Sequence, residues 1–219
     1  MGLVFASADP DMEAAVINVP GGGWTHFIPP SSLFATMQAL LKGAFGGELP
    51  LLRAHLMTQS SWDDVDGALW TEARGDRNVA FLIQESIGDP VLPNVGTENV
   101  ALATGAVQLG AVLSPFEGIE PATEAAGTSA LTQFRVPETD ALDIHGFAAR
   151  DTPAGAAARE VGLPFQVNTL VCEETLSDLP KIYEHVVAMG AARWSLFFLV
   201  VTGRVGTLIL LLVLAWVAI

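Results

Sequence analysis

One cysteine, Cys172, stands in a chain of 219 residues. That count excludes an internal disulfide and any cysteine-only metal or cluster site. Read alone, Cys172 is a small core or strand-end residue. Basic residues are scarce as well, 10 Lys and Arg against 24 Asp and Glu, for a net charge of −14. Phosphate binding needs a basic face, so the balance excludes nucleic acid as a partner. The acidity is uneven: residues 1–156 carry a net −13 and residues 157–219 a net −1. Charged residues make up 16% and hydrophobic residues 51%, more apolar than an ordinary soluble domain. The opening stretch lacks a basic n-region and meets Asp9-Pro10-Asp11 at once, so no signal peptide is expected.

What is present alternates between apolar runs and turns. Met1 to Ala8 reads as helix, and Ala14 to Val19 as a buried strand closed by Pro20-Gly21-Gly22-Gly23-Trp24. Ser31-Ser32 caps a helix that ends near Gly43, and Leu51 to Met57 reads as helical. The run Val79 to Ile83 suits a strand covered on both faces of a parallel sheet, and it stops in a turn at Gly88-Asp89-Pro90. Thr97 to Val107 is a predicted helix, residues 114–128 are loop-rich, and Ala130 to Val136 is a further strand. Asp151-Thr152-Pro153 would start a helix with Pro in its first turn.

Two residues carry the candidate chemistry. Asp89 lies beyond the carboxyl end of a predicted core strand, where open α/β sheets place their sites. Its carboxylate either orients a catalytic histidine or only caps its own turn. Asp143-Ile144-His145-Gly146-Phe147, further along, supplies the histidine, His145. The glycine triplet Gly21 to Gly23 is either a backbone anion cradle or a sharp turn where nothing larger fits, and the turn is the favoured reading. Trp62-Asp63-Asp64-Val65-Asp66-Gly67 lacks the ligand spacing and closing Glu of a calcium loop, so it reads as a polar cap and loop. No metal and no cofactor is expected.

Taken together, MGLVFASADPDMEAAVINVPGGGWTHF, QESIGDPVLPNVGTENVA and DIHGFAARDTPAGAAARE resemble the C-terminal half of a bacterial lipase- or esterase-like α/β-hydrolase, over roughly residues 1–160. The resemblance implies an α/β fold with an incomplete hydrolase-type parallel sheet. It makes His145 the general base and Asp89 the group that holds its tautomer, in the chain order nucleophile, acid, histidine. The expected Gly-x-Ser-x-Gly elbow would come just before MGLVFASADPDM, and the motif occurs nowhere in the chain. Gln84-Glu85-Ser86-Ile87-Gly88 lacks the first Gly, and Ser129 precedes a strand. The resemblance therefore implies an ester-hydrolase-derived chain that is inactive on its own, with an ester or lipid-like small molecule as substrate if the site is completed.

Residues 162–204 form a β-α-β pattern: a strand over Phe165 to Val171, a helix over Leu179 to Met189 and a strand over Trp194 to Val201. This piece resembles a late strand–helix–strand unit of radical SAM enzymes, without their CxxxCxxC ligand set. His185, beside Glu184 and Lys181, reads as solvent-facing. From Thr207 to Ile219 there are 13 uncharged residues, short of the ~20 a bilayer span needs. Counted from Ser195, the stretch is 25 residues with Arg204 as its one charge. The expectation is a membrane-seeking C-terminal tail, with Arg193 and Arg204 keeping the body on the cytoplasmic side. The domains are then 1–156, 157–204 and the tail 205–219. Two incomplete pieces abut without a linker, so a truncated or chimeric chain is expected. A non-catalytic, membrane-anchored or interaction protein is the alternative function.

Overall fold

The computed structural model describes residues 2–71, 79–125, 127–137, 140–149, 153, 156–157, 166–171, 176–191, 193–202 and 208–218. Asp151, Thr152, Cys172 and Arg204 lie outside the described residues. The chain divides into two compact units, Met1–Leu163 and Pro164–Ile219, each built on its own sheet.

The first unit is α/β. Its strands are β1 (Ala14–Asn18), β2 (Ala80–Ser86), β3 (Val107–Leu109), β4 (Pro121–Ala122) and β5 (Ala130–Phe134). They form a parallel sheet in the order β1-β2-β5-β3-β4. The helices are α1 (Gly2–Ala8), α2 (Trp24–Phe27), α3 (Ala35–Ala44), α4 (Glu48–Trp62), α5 (Gly67–Trp70), α6 (Asn94–Thr104) and α7 (Ala141–His145). The core forms where Phe81, Ile83 and Leu131 of the sheet meet Leu3 and Ala6 of α1 and Val100 and Ala101 of α6. Strand β2 is buried from Phe81 to Ser86, as a continuous apolar run in a parallel sheet requires.

Several predicted boundaries move for identifiable reasons. Strand β2 runs three residues past Ile83, through Gln84, Glu85 and Ser86, all buried. Polar side chains at a strand end read as loop in the sequence, but two of them are hydrogen-bonded inside. Helix α6 starts at Asn94 and stops at Gly105, whose φ of 64° ends it in the left-handed conformation. The predicted Thr97–Val107 helix is therefore shorter at its end, and Val107 opens β3. His145 closes the short helix α7 instead of sitting in a loop, because Asp140 caps that helix on the N–H groups of Leu142 and Asp143.

The second unit holds β6 (Gln166–Val171), α8 (Leu179–Ala188), β7 (Arg193–Thr202) and β8 (Leu208–Ala218). Strands β6 and β7 are parallel, the arrangement a β-α-β crossover gives. Helix α8 turns Val186 inward against Ala191 and Trp194, with Leu179 and Ile182 half-buried beside them. His185 is exposed, as its neighbours in sequence suggest. The backbone of Leu208–Ala218 is a strand, antiparallel to β7. Pairing with β7 satisfies its backbone groups across the ladder in place of a helix. Among the described residues no helix is long and apolar enough to cross a membrane.

Candidate functional site

Strands β2 and β5 are neighbours, with Ser86 in register with Phe134. Because they are parallel, the segments that leave their carboxyl ends emerge side by side. Asp89 follows β2 and His145 follows β5, and the two meet: His145 Nδ1 lies 2.7 Å from Asp89 Oδ2. Asp89's side chain is 1% exposed and that of His145 32% exposed, so the carboxylate is enclosed and the imidazole reaches the surface.

Asp89 caps its own turn and also meets His145. Its Oδ1 accepts from the backbone N–H groups of Val91 at 2.8 Å and Leu92 at 3.0 Å, capping the turn. Its Oδ2 remains for His145. A carboxylate that accepts two backbone donors on one oxygen is fixed in orientation, so it presents the other oxygen as an acceptor at a set place. Nδ1 therefore carries the proton and donates it to Asp89, which leaves the Nε2 lone pair outward. Among the described residues Nε2 takes no hydrogen bond.

The histidine side is anchored by packing. Phe147 is fully buried against Val19 and Val136, and Phe134, Ile144 and Ala148 pack on that cluster. The rings of Phe134 and Phe147 lie 5.0 Å apart. Val19, just beyond β1, has φ 39°, a conformation that a β-branched residue adopts at a cost of about 1–3 kcal/mol. Its N–H donates to Gln84 O at 2.8 Å, which helps hold it there.

The turn that carries Asp89 rests on a buried polar network that sequence reasoning missed. Glu85 is fully buried on β2; Asn94 Nδ2 donates to one of its oxygens and Gln133 Nε2 to the other, each at 2.8 Å. Burial pushes the Glu85 carboxyl up to about 7, against the pull of those two donors. The sequence signal was the unbroken strand period, which puts Glu85 and Gln133 at covered positions of β2 and β5.

The glycine triplet is a turn. Gly22 N–H donates to Gly96 O at 3.0 Å and Gly23 N–H to Asp66 Oδ2 at 2.8 Å, so both donors are already engaged. A Cβ on Gly22 would come within 2.6 Å of Ala68 Cβ. Asp66, from the rejected calcium loop, is a buried clamp that also accepts from Ala68 N–H and Gln59 Nε2. Neither serine considered as a nucleophile is placed for it. Ser86 is buried, with no partner for Oγ among the described residues, and Ser129 Oγ accepts from Phe81 N–H in the core. An apolar cavity of about 350 Å³ opens between α2, α3 and α4, lined by Met37, Leu41, Phe45, Leu51 and Trp62 among others, and neither Asp89 nor His145 lines it.

No protein-family model matches the chain, and no solved structure matches it. An AdoMet-dependent heme synthase from Methanosarcina barkeri is 41% identical over 46 residues, which cover 21% of this chain and 13% of that protein.

Proposed function

We propose that Asp89 and His145 are the acid and base of a serine-hydrolase site of the lipase or esterase type, on a sequence that holds no Gly-x-Ser-x-Gly elbow. The observation that carries this reading is the 2.7 Å contact from His145 Nδ1 to a carboxylate whose other oxygen is locked by two backbone donors. With Nδ1 committed to Asp89, Nε2 is the atom that would take a hydroxyl proton. The carboxylate would stabilise the imidazolium so formed. The substrate class is an ester or lipid-like small molecule. No step is available without a serine beside Nε2, and the chain has no Gly-x-Ser-x-Gly to provide one.

The test uses the full chain. Incubated with short p-nitrophenyl esters it should show no turnover above buffer, and a fluorophosphonate probe should label no serine. Labelling of Ser86 or Ser129 would overturn the reading. The acid–base role itself is read by acylation of Nε2 with diethyl pyrocarbonate, followed by peptide mapping. His145 should react faster in the natural chain than in Asp89→Asn, because Asp89 keeps the proton on Nδ1 and the lone pair on Nε2. Equal rates would remove the role.

A second reading concerns residues 162–204. The parallel β6-α8-β7 unit fits the strand–helix–strand resemblance, and the 46-residue match to an AdoMet-dependent heme synthase supports kinship with such a protein over some short stretch of the chain. A single cysteine cannot furnish the three-thiolate ligand set of their cluster, so no AdoMet chemistry is carried over.

A further inference from the structure

Glu85 is held in a way that constrains what it does. Asn94 Oδ1 accepts from Gly88 N–H at 2.8 Å, which fixes the Asn94 amide with its NH2 group towards Glu85. That same Nδ2 also donates to Ser86 O at 2.8 Å. Gln133 Oε1 accepts from Leu113 N–H at 2.8 Å and Ser114 N–H at 3.0 Å, so its NH2 group too is turned towards Glu85. Backbone donors cannot be flipped, and both amide orientations follow from them. Glu85 therefore faces a donor on each oxygen, and a carboxylate is the side chain that accepts twice.

The consequence runs into the site. Asn94 ties both ends of the turn between Ser86 and Gly88, and Gly88 sits at φ 84°, the residue just before Asp89. We propose that Glu85 is a positioning residue for the Asp89–His145 pair: by holding Asn94 it fixes the Ser86–Asp89 turn that presents the Asp89 carboxylate to the imidazole. The inference rests on that pair being the acid–base element of the site. It adds a residue that touches neither member of the pair. A purely structural role for Glu85 would lower stability and leave the His145 hydrogen bond unchanged.

The deciding readout is the Nδ1 proton of His145 in the ¹⁵N-labelled full chain, identified by its loss in His145→Gln. In Glu85→Gln, a Gln must turn its own NH2 group against one of the two amide donors. In Asn94→Ala the link to the turn is gone. In either folded variant, the solvent exchange of that proton should rise by about tenfold or more, the size expected for losing a hydrogen bond to a charged group. Wild-type exchange in a variant that keeps its far-UV spectrum and a cooperative melt would overturn the proposal. Where a variant loses its fold, the unmodified chain decides. As Glu85 titrates, the Gly88 amide, the Asn94 side-chain amide and the Nδ1 proton should shift with one midpoint. Three unrelated midpoints would overturn it. Glu98 of α6 is the other carboxylate acting on Glu85, and Asn94 and Gln133 face it with neutral amides. Asp89 and His145 are the pair being read, and the Glu98→Gln background removes the other carboxylate that acts on Glu85. Failure here leaves the hydrolase reading standing, since that reading is decided by serine labelling and Nε2 acylation.

Discussion

Asp89 and His145 are 56 residues apart in sequence and 2.7 Å apart in space. Their meeting follows from the adjacency of parallel strands β2 and β5, because both residues leave the sheet at the same edge. The pairing is a product of topology, and each partner is then fixed locally, Asp89 by backbone donors and His145 by the packing of Ile144 and Phe147.

Replacing Asp89 by Asn should reverse the histidine tautomer. The amide oxygen will keep the Val91 and Leu92 N–H groups, so the NH2 group lands where Oδ2 was. His145 Nδ1 must then accept, and the proton moves to Nε2. Nitrogen shifts of the imidazole in the ¹⁵N-labelled variant report the exchange directly. Loss of a charged hydrogen bond should also lower the unfolding free energy by about 1.5–3 kcal/mol in urea.

Asp66→Ala should be among the costlier single changes in the first unit. The buried carboxylate accepts from the N–H groups of Gly23, Trp24 and Ala68 and from Gln59 Nε2, and all four lose that acceptor at once. A loss of about 3 kcal/mol is expected for stranding buried donors. For a chain of this size that corresponds to a drop in melting temperature of roughly 6–12 °C. A loss within about 0.5 kcal/mol, the range of an ordinary surface change, would show that the clamp contributes nothing.

Gly22→Ala tests whether the triplet is a close-packed turn. The added methyl meets Ala68 Cβ at 2.6 Å and Val100 Cγ2 at 2.9 Å, both on elements of the core side. Overpacking of this kind costs about 1–3 kcal/mol. Gly46→Ala is not a neutral comparison, since Gly46 has φ 75°. Gly43→Ala is the suitable control: it lies in α3, meets nothing within 4 Å and should leave stability unchanged or raise it.

Much of the first unit was legible because apolar runs and turn residues report directly on local structure. The β1 and β2 strands and the Gly-Asp-Pro turn follow from residue type, while the pairing of Asp89 with His145 was an expectation of the α/β-hydrolase resemblance. The strand pattern covers the positions of Glu85 and Gln133, but their pairing was not legible, since neither residue type names its partner. That partner is 48 residues away in the case of this pair. The end of α6 was misjudged because Ala106 and Val107 continue an apolar pattern across Gly105, and the left-handed stop outweighs that pattern. Leu208–Ala218 shows the same limit from the other side: an uncharged Leu-rich run does not by itself distinguish a helix from a strand, and the pairing with β7 decides it.

The remaining prediction concerns pH. Burial raises the Glu85 carboxyl from 4.5 to about 7, while Asn94 and Gln133 pull it down and Glu98 adds a smaller upward push. Below about 4.5 the group is neutral in both folded and unfolded chains, and its neutral form contributes fully to stability. Between about 4.5 and about 7 the unfolded chain gives up the proton first, so rising pH favours unfolding, and the contribution is lost as pH passes through about 7. The size is on the order of 3 kcal/mol, since Glu85 is fully buried and solvent screening is small. The useful quantity is the unfolding free energy of the natural chain minus that of Glu85→Gln, measured in urea at a series of pH values, since the subtraction isolates this one group. That difference should fall with rising pH and level off above about 7. A flat difference would mean that Glu85 ionises as it does in the unfolded chain. A difference that rises with pH would mean that the two amide donors outweigh burial, and that the carboxylate is the favoured form throughout.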